Sequence, residues 1–145
     1  MRPPIRALTP TEVGALLALD IPAHLATIDA DGFPRITPLW FLWDEGAFYM
    51  TSVKGQPHLR NIERDPRVAL CVDVEEREVV DGHRPNRRIR AQGEAELAPD
   101  DGGTWTRRIT LKYVRGEEGE RAAERRAPMA RVVIRLLPVR LLAQG

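Results

Sequence analysis

The stretch FYMTSVKGQPHLRNIERDPRVALCVDV, residues 48–74, contains the strongest structural signals in the chain. It begins with β-favouring residues, which are typical of a strand, and continues through a polar turn. Gln56 to Glu63 has the pattern of a short helix, which ends at Asp65-Pro66. Arg67 to Val74 is apolar at every other position, as in a half-buried strand. The stretch therefore predicts a strand, a turn, a short helix and a returning strand.

The turn and the helix of this stretch concentrate side chains that bind anions. Hydroxyl groups donate hydrogen bonds to phosphate oxygens, lysine and arginine supply positive charge, and a helix N-terminus favours anions. His58 and Asn61 are three residues apart and share one helix face, while Arg60 points to the side. The full set is Thr51, Ser52, Lys54, His58, Arg60 and Asn61. We interpret it as a phosphate site, with ordinary turn and capping chemistry as the alternative.

Composition places the chain among globular proteins with one core. It has 145 residues, of which 43% are hydrophobic and 30% are charged, and its net charge is +1. This length suits a single domain, so we expect one domain over residues 1–145. A net charge this small gives no global field that would recruit nucleic acid.

Several other classes of protein and site are not expected. No apolar run approaches the ~20 residues that a membrane-spanning helix needs, and the first residues lack the apolar core of a secretory signal. Cys71 is the single cysteine, so an internal disulfide is ruled out and a reducing cytoplasm is favoured. His24, His58 and His83 lack the spacing of metal ligands, and we expect no metal site.

The rest of the chain predicts mostly short strands with a few helices. Thr9 and Glu12 have the spacing of a capping box at the start of the first helix. Helices are predicted over residues 9–19, 56–63, 104–114 and 117–126, a loop over 75–87, and strands over 24–29, 33–43, 47–52, 67–74, 88–97 and 130–142. Short strands with tight turns predict a mainly β protein, a small antiparallel barrel with flanking short helices. The first three strands are expected to form a meander.

The second and fifth predicted strands have informative patterns. Pro38 cannot donate to a sheet ladder, so it marks an edge, a bulge or a place where a ligand replaces a strand. Trp40, Phe41 and Trp43 are interpreted as core or dimer packing, with lining of a substrate site as the alternative. Residues 88–97 alternate between small apolar and polar residues, which suggests close approach of another backbone on the apolar face. The aromatic residues of the second strand and the small residues on the inner faces of the strands together lead to a homodimer hypothesis.

The sequence resembles a known family in two segments that follow each other along the chain. They are HLATIDADGFPRITPLWF at residues 24–41 and FYMTSVKGQPHLRNIERDPRVAL at residues 48–70. The DG-P-R pattern, the hydroxyl pair that ends the third strand and the segment x-R-N-I-x-R-D-P-R-V resemble the split β-barrel flavoproteins related to pyridoxamine 5′-phosphate oxidase. More narrowly, they resemble the branch of oxidoreductases dependent on the deazaflavin coenzyme F420. The resemblance implies a six-stranded antiparallel split β-barrel that dimerises, with the cofactor in a groove between protomers.

The resemblance also implies which residues contact the cofactor. By position, Arg35, Ile36, Thr37 and Leu39 lie along the isoalloxazine or deazaflavin ring. Thr51, Ser52, Lys54, His58 and Asn61 surround the phosphate, and Arg60, Arg64 and Arg87 are candidates for a basic rim. The family often has lysine at the position of His58, and a histidine is only partly charged near neutral pH.

The function implied by the resemblance is hydride transfer between bound FMN or coenzyme F420 and a small organic substrate. Most of this chemistry belongs to the cofactor, which explains why no catalytic residue is identified. A non-catalytic protein that binds or sequesters a flavin or deazaflavin is the alternative. A nucleic-acid-binding barrel that uses the arginines of residues 84–90 is disfavoured, because acidic residues flank the same loop.

Overall fold

A computed structural model describes residues 5–145 of the chain, so residues 1–4 of the expected domain lie outside it. Within the described residues, eight strands pair only in antiparallel fashion. They are β1 (Ala23–Ile28), β2 (Pro34–Leu39), β3 (Leu42–Asp44), β4 (Ala47–Val53), β5 (Arg67–Glu75), β6 (Asn86–Pro99), β7 (Arg131–Leu136) and β8 (Arg140–Gln144). The predicted mainly β, antiparallel architecture is confirmed.

In the part of the chain that the structure describes, four α-helices flank the strands. They are α1 (Pro10–Ala18), α2 (Pro57–Arg64), α3 (Thr104–Tyr113) and α4 (Gly116–Arg126), and a 3-10 turn, Asp101–Gly103, precedes α3. The predicted capping box at α1 is present, because Thr9 Oγ1 accepts from the Glu12 amide at 3.2 Å and Glu12 accepts from the Thr9 amide at 2.9 Å. Within residues 5–145, no helix is both long enough and apolar enough to cross a membrane.

The long strand β6 joins two halves of the barrel. Its first part pairs with β5 on one side and β8 on the other, and its last five residues pair with β7. One half is therefore β2-β1-β5-β6-β8 and the other is β6-β7-β4-β3. Apolar side chains from both halves and from α1 and α2 form the core, with Phe41 and Phe48 among its largest members.

The alternation predicted for residues 88–97 is confirmed in β6. Ile89, Ala91, Gly93 and Ala95 are buried, while the polar residues between them are exposed. A Cβ on Gly93 would lie 3.1 Å from both the Leu136 side chain and the Leu137 carbonyl oxygen. The glycine therefore allows the close backbone approach that the sequence suggested, at the point where β7 ends.

Two of the predicted strands are broken in the structure, so both hairpins of the predicted meander form but do not join into one continuous sheet. Residues 33–43 form β2 and β3, separated by Trp40 and Phe41, and residues 130–142 form β7 and β8, separated by residues 137–139. β2 pairs with β1 whereas β3 pairs with β4, so β2 and β4 are not neighbours. The break occurs because one continuous segment turns from one half of the barrel to the other.

The C-terminal end of α3 stabilises the break between β2 and β3. Lys112 Nζ donates to the carbonyl oxygens of Phe41 and Leu17, each at 3.0 Å. Tyr113 Oη accepts from the Phe41 amide at 3.1 Å and its ring stacks on Trp40 with centroids 4.6 Å apart. Phe41 and Trp43 both pack against Phe48, as the packing interpretation requires. Side chains of α3 thus replace the ladder partners that the broken strand lacks.

We expect the free energy of unfolding to rise with pH in a way that depends on Lys112. Burial lowers the pKa of Lys112 from 10.5 to about 8. Between these values the unfolded chain binds more protons than the folded protein, so stability increases as the pH rises through this window. Tyr113, whose pKa burial raises from 10.0 to about 12, has the opposite effect only above pH 10.

Urea unfolding gives the free energy of unfolding below pH 8 and again between pH 8 and 10. The change between the two ranges is compared for the wild type and for Lys112→Met. The variant should show a smaller gain in stability than the wild type. Equal gains in the two proteins would mean that Lys112 is not desolvated at the strand break.

Candidate functional site

Helix α2 occupies the centre of the predicted site. Its buried face comprises His58, Leu59, Asn61 and Ile62, while Arg60 is exposed. Leu59 and Ile62 belong to the hydrophobic core, and their burial fixes the helix on the barrel. The shared face predicted for His58 and Asn61 is confirmed, and it points into the protein.

Two buried hydrogen bonds attach α2 to both halves of the barrel. Ser52 Oγ of β4 lies 2.6 Å from His58 Nε2, and Asn61 Nδ2 donates to Thr27 Oγ1 of β1 at 3.1 Å. Thr27 pairs with Arg35 across the β1–β2 ladder. The structure therefore brings α2 beside the start of the segment that was predicted to lie along the ring.

The surroundings of His58 differ from those of an exposed, phosphate-binding side chain. It is 7% exposed, and desolvation lowers the pKa of its imidazole below the ordinary 6.5. The ring is consequently uncharged near neutral pH. His58 and Ser52 direct polar atoms at each other, so His58 acts as an internal anchor of α2 and contributes no positive charge.

The accessible positive charges of the predicted set are Lys54 and Arg60. Both side chains are exposed, and neither belongs to an ion pair within residues 5–145. The first turn of α2 contains no acidic residue, and its N-cap, Gln56, makes no side-chain capping bond. The positive end of the helix dipole thus lies close in sequence to two unneutralised cations.

Thr51 and Ser52 face opposite sides of β4, as successive residues of a strand do. Thr51 Oγ1 lies 3.3 Å from Thr106 Oγ1 of α3. Thr106 Oγ1 donates its proton to Asp100 Oδ2 at 2.6 Å, in a buried contact. The structure therefore does not place the two predicted hydroxyl groups on one surface.

The predicted ring segment lies on β2, at one end of the strand order. Arg35 Nε donates to Asp29 Oδ2 at 2.8 Å, and this hydrogen bond is the main reason that the pKa of Asp29 is lowered. Thr37 and Leu39 are partly buried, whereas Ile36 is 70% exposed on the outer face. An apolar, accessible side chain on an outer strand is suited to contact a flat ring or a second chain.

The predicted basic rim is only partly brought together. Arg60 and Arg64 both lie on α2. Arg87, however, pairs with Val74, seven residues along β5 from the end near α2. At the rise of a strand this separation is ~23 Å, so Arg87 is not part of a rim around α2.

Three of the sizeable cavities have no residue of α2 in their lining. Cavities of about 510 and 770 Å³ lie on the outer face of the β2-β1-β5-β6-β8 half, and one of about 730 Å³ lies beside the loop between β5 and β6. None of the three is lined by Lys54, His58 or Arg60. Ile36 lines the cavity of 510 Å³, which connects the predicted ring segment to a concave surface.

Two arginines of that cavity were not predicted from the sequence to belong to the cofactor or substrate site. Arg90 of β6 and Arg140 of β8 both line it. Arg90 is recognisable as an outward residue of an alternating strand, but the sequence does not predict that β8 pairs with β6. Over residues 5–145, no group of three or more histidine, cysteine, aspartate or glutamate side chains is arranged to hold a metal ion.

Known structures share this fold at low sequence identity. An F420 reductase is 24% identical, with a TM-score of 0.64 over 88% of this chain and 93% of that chain. A FAD-binding protein from Mesorhizobium loti is 21% identical, with a TM-score of 0.66 over 97% of this chain and 96% of that one. The heme storage protein of Vibrio cholerae is 21% identical, with a TM-score of 0.70 over 94% of each chain. These identities establish the fold alone.

A search of curated proteins gave no significant match. A family model described as pyridoxamine 5′-phosphate oxidase matches residues 9–144, which is nearly the whole chain. The match covers all eight strands, and the architecture and the structural neighbours agree with it. The chain therefore belongs to the pyridoxamine 5′-phosphate oxidase family.

Proposed function

We propose that the protein is an oxidoreductase that transfers a hydride between a flavin-type cofactor, coenzyme F420 or FMN, and a small organic substrate. The observation that supports this most is the position of α2. Its bonds to Ser52 and Thr27 fix α2 against β4 and β1, and two cations, Lys54 in the turn before α2 and Arg60 on α2, remain exposed. Family membership and the fold shared with an F420 reductase point in the same direction.

The residues present fit the phosphate end of such a cofactor. Lys54 and Arg60 bind phosphate oxygens, and the N-terminus of α2 favours the same charge. His58 has a different role from the lysine that the family often has at this position. It fixes the helix through Ser52, while Lys54 and Arg60 supply the positive charge.

The residues of β2 fit the ring end. Thr37 and Leu39 lie on the same face of β2 as Arg35, the partner of Thr27. They offer a partly buried surface to a flat ring on the side of α2, while the exposed Ile36 offers an apolar surface on the opposite face. When bound, the cofactor supplies the hydride chemistry. The chain binds and orients the ring and excludes water from it, so no acid–base residue is required.

We further propose that the protein is a cytoplasmic homodimer. Phe33, Leu137 and Val139 are 67%, 52% and 81% exposed, and the last two line the outer cavity of 770 Å³. Large apolar side chains around one concavity are uncommon on a monomer surface. A second copy seated over the cavity of 770 Å³ buries them. Sedimentation at micromolar concentration should show a dimer, and a purely monomeric protein would contradict the proposal.

A non-catalytic protein that binds or sequesters the cofactor is the second candidate. The fold shared with a heme storage protein supports it, because a storage protein holds its ligand without catalysing a reaction. Adding small organic electron acceptors to the cofactor-loaded, reduced protein separates the two functions. An absorbance change that requires the protein supports the oxidoreductase, whereas tight binding without any acceptor-dependent change supports sequestration.

A further inference from the structure

The outer cavity of about 510 Å³ has the features of a small-molecule site. Ala26 and Ala69 form a small apolar floor, and Ile36 of β2 and Leu142 of β8 line it as well. Its volume lies in the range of about 300–1,000 Å³ that is usual for ligand pockets. A mostly apolar lining with a few polar groups is the usual composition of such pockets.

Strand register places the polar groups of the cavity on one face. His24, Cys71, Arg90 and Leu142 are successive partners across β1, β5, β6 and β8. Gln92, two residues after Arg90, pairs with Arg140. Arg90 and Arg140 are therefore diagonal neighbours on adjacent strands, at a separation of about 7–8 Å.

Neither guanidinium group is neutralised by a carboxylate. Arg90 Nη2 donates to the Gln144 amide oxygen at 3.3 Å, and within residues 5–145 neither Arg90 nor Arg140 belongs to an ion pair. Asp73 is a diagonal neighbour of Arg90 and Glu94 follows Gln92 on the same face, but neither carboxylate lines the cavity. Two neighbouring guanidinium groups without acidic partners favour an anion, and their planar donors match the geometry of a carboxylate.

We propose that this cavity is the substrate pocket and that it takes a small organic carboxylate with an apolar body. Arg90 and Arg140 bind the carboxylate, and the alanine floor with Ile36 and Leu142 contacts the body. The inference rests on the proposed function, because Ile36 belongs to the segment that lies along the cofactor ring. It adds a substrate class to that function.

Binding of cinnamate to the full-length protein tests the pocket, with cinnamamide as a neutral probe of the same shape. Equilibrium dialysis gives the affinity of each probe for the wild type, Arg90→Ala, Arg140→Ala and the control Arg125→Ala. All three arginines are exposed, so their replacement leaves the core intact. We expect cinnamate to bind about tenfold more weakly to each cavity variant, since each loses one charge-assisted contact. The control should match the wild type.

The inference is overturned if cinnamate and cinnamamide bind the wild type equally, or if both cavity variants retain the wild-type affinity for cinnamate. Titration of the same variants with FMN and coenzyme F420 separates this failure from that of the proposed function. If the protein binds a cofactor but cinnamate binding does not depend on the two arginines, the substrate-pocket inference is rejected and the proposed function stands. Arginine-dependent binding of cinnamate without any cofactor binding leaves an anion site and overturns its role as a substrate pocket.

Discussion

Replacing Lys54 and Arg60 together by alanine is expected to weaken the binding of FMN or coenzyme F420 about 100-fold. Each side chain is exposed beside α2 and has no acidic partner in the described chain, so its charge is available to a phosphate. One charge-assisted contact changes an affinity about tenfold, and two such contacts multiply. Fluorescence quenching of the cofactor measures the change.

Arg125→Ala is the matched control for this double variant, because Arg125 is exposed on α4 and lies outside the predicted site. Added salt should also weaken binding to the wild type more than to the double variant, since exposed charges are screened. If the double variant binds either cofactor as tightly as the control does, the phosphate is held elsewhere.

Replacing His58 by alanine is expected to lower the free energy of unfolding by about 2–4 kcal/mol. The substitution leaves a void under α2 and removes the partner of the buried Ser52 hydroxyl. The same change alters the pH dependence of stability. Because the pKa of folded His58 lies below 6.5, the unfolded chain binds more protons just below that pH, and the wild type loses stability as the pH falls.

Urea unfolding of His58→Ala, Ser52→Ala and the double variant measures these effects. The two single changes should be non-additive by about 1 kcal/mol, the usual contribution of a buried hydrogen bond. His58→Ala should also lose the part of the pH dependence that lies just below pH 6.5. Additive losses together with an unchanged pH profile would show that His58 and Ser52 are not paired inside the protein.

Local signals in the sequence were sufficient for most elements of the fold. The capping box of Thr9 and Glu12 begins α1, and the two-residue alternation of residues 88–97 appears as buried and exposed faces of β6. These features depend on neighbours in the chain, which the sequence displays directly. The stretch at residues 48–74 likewise forms β4, α2 and β5 in the predicted order.

Contacts between distant segments could not be predicted in the same way. The break at Trp40 and Phe41 depends on Lys112 and Tyr113, which are about 70 residues away in the chain. Nothing in the spacing of residues 33–43 shows that side chains of α3 would satisfy these backbone groups. The uninterrupted run of residues 33–43, which contains no turn signal, was therefore predicted as one strand where the barrel has two.

The candidate site shows the same limit. Helical spacing correctly put His58 and Asn61 on one face, but it does not show whether that face meets solvent or the core. The answer depends on Ser52 and Thr27, which belong to opposite halves of the barrel. Arg140 was not predicted for a related reason, since its position beside Arg90 depends on the pairing of β8 with β6.

Titration of the purified wild-type protein with FMN and with coenzyme F420, followed by fluorescence quenching, tests the central claim most directly. The exposed cations Lys54 and Arg60 at α2 predict saturable binding of at least one cofactor, with a Kd below about 100 μM, equivalent to about −5.5 kcal/mol. If neither cofactor binds below that concentration, the proposed cofactor site is contradicted.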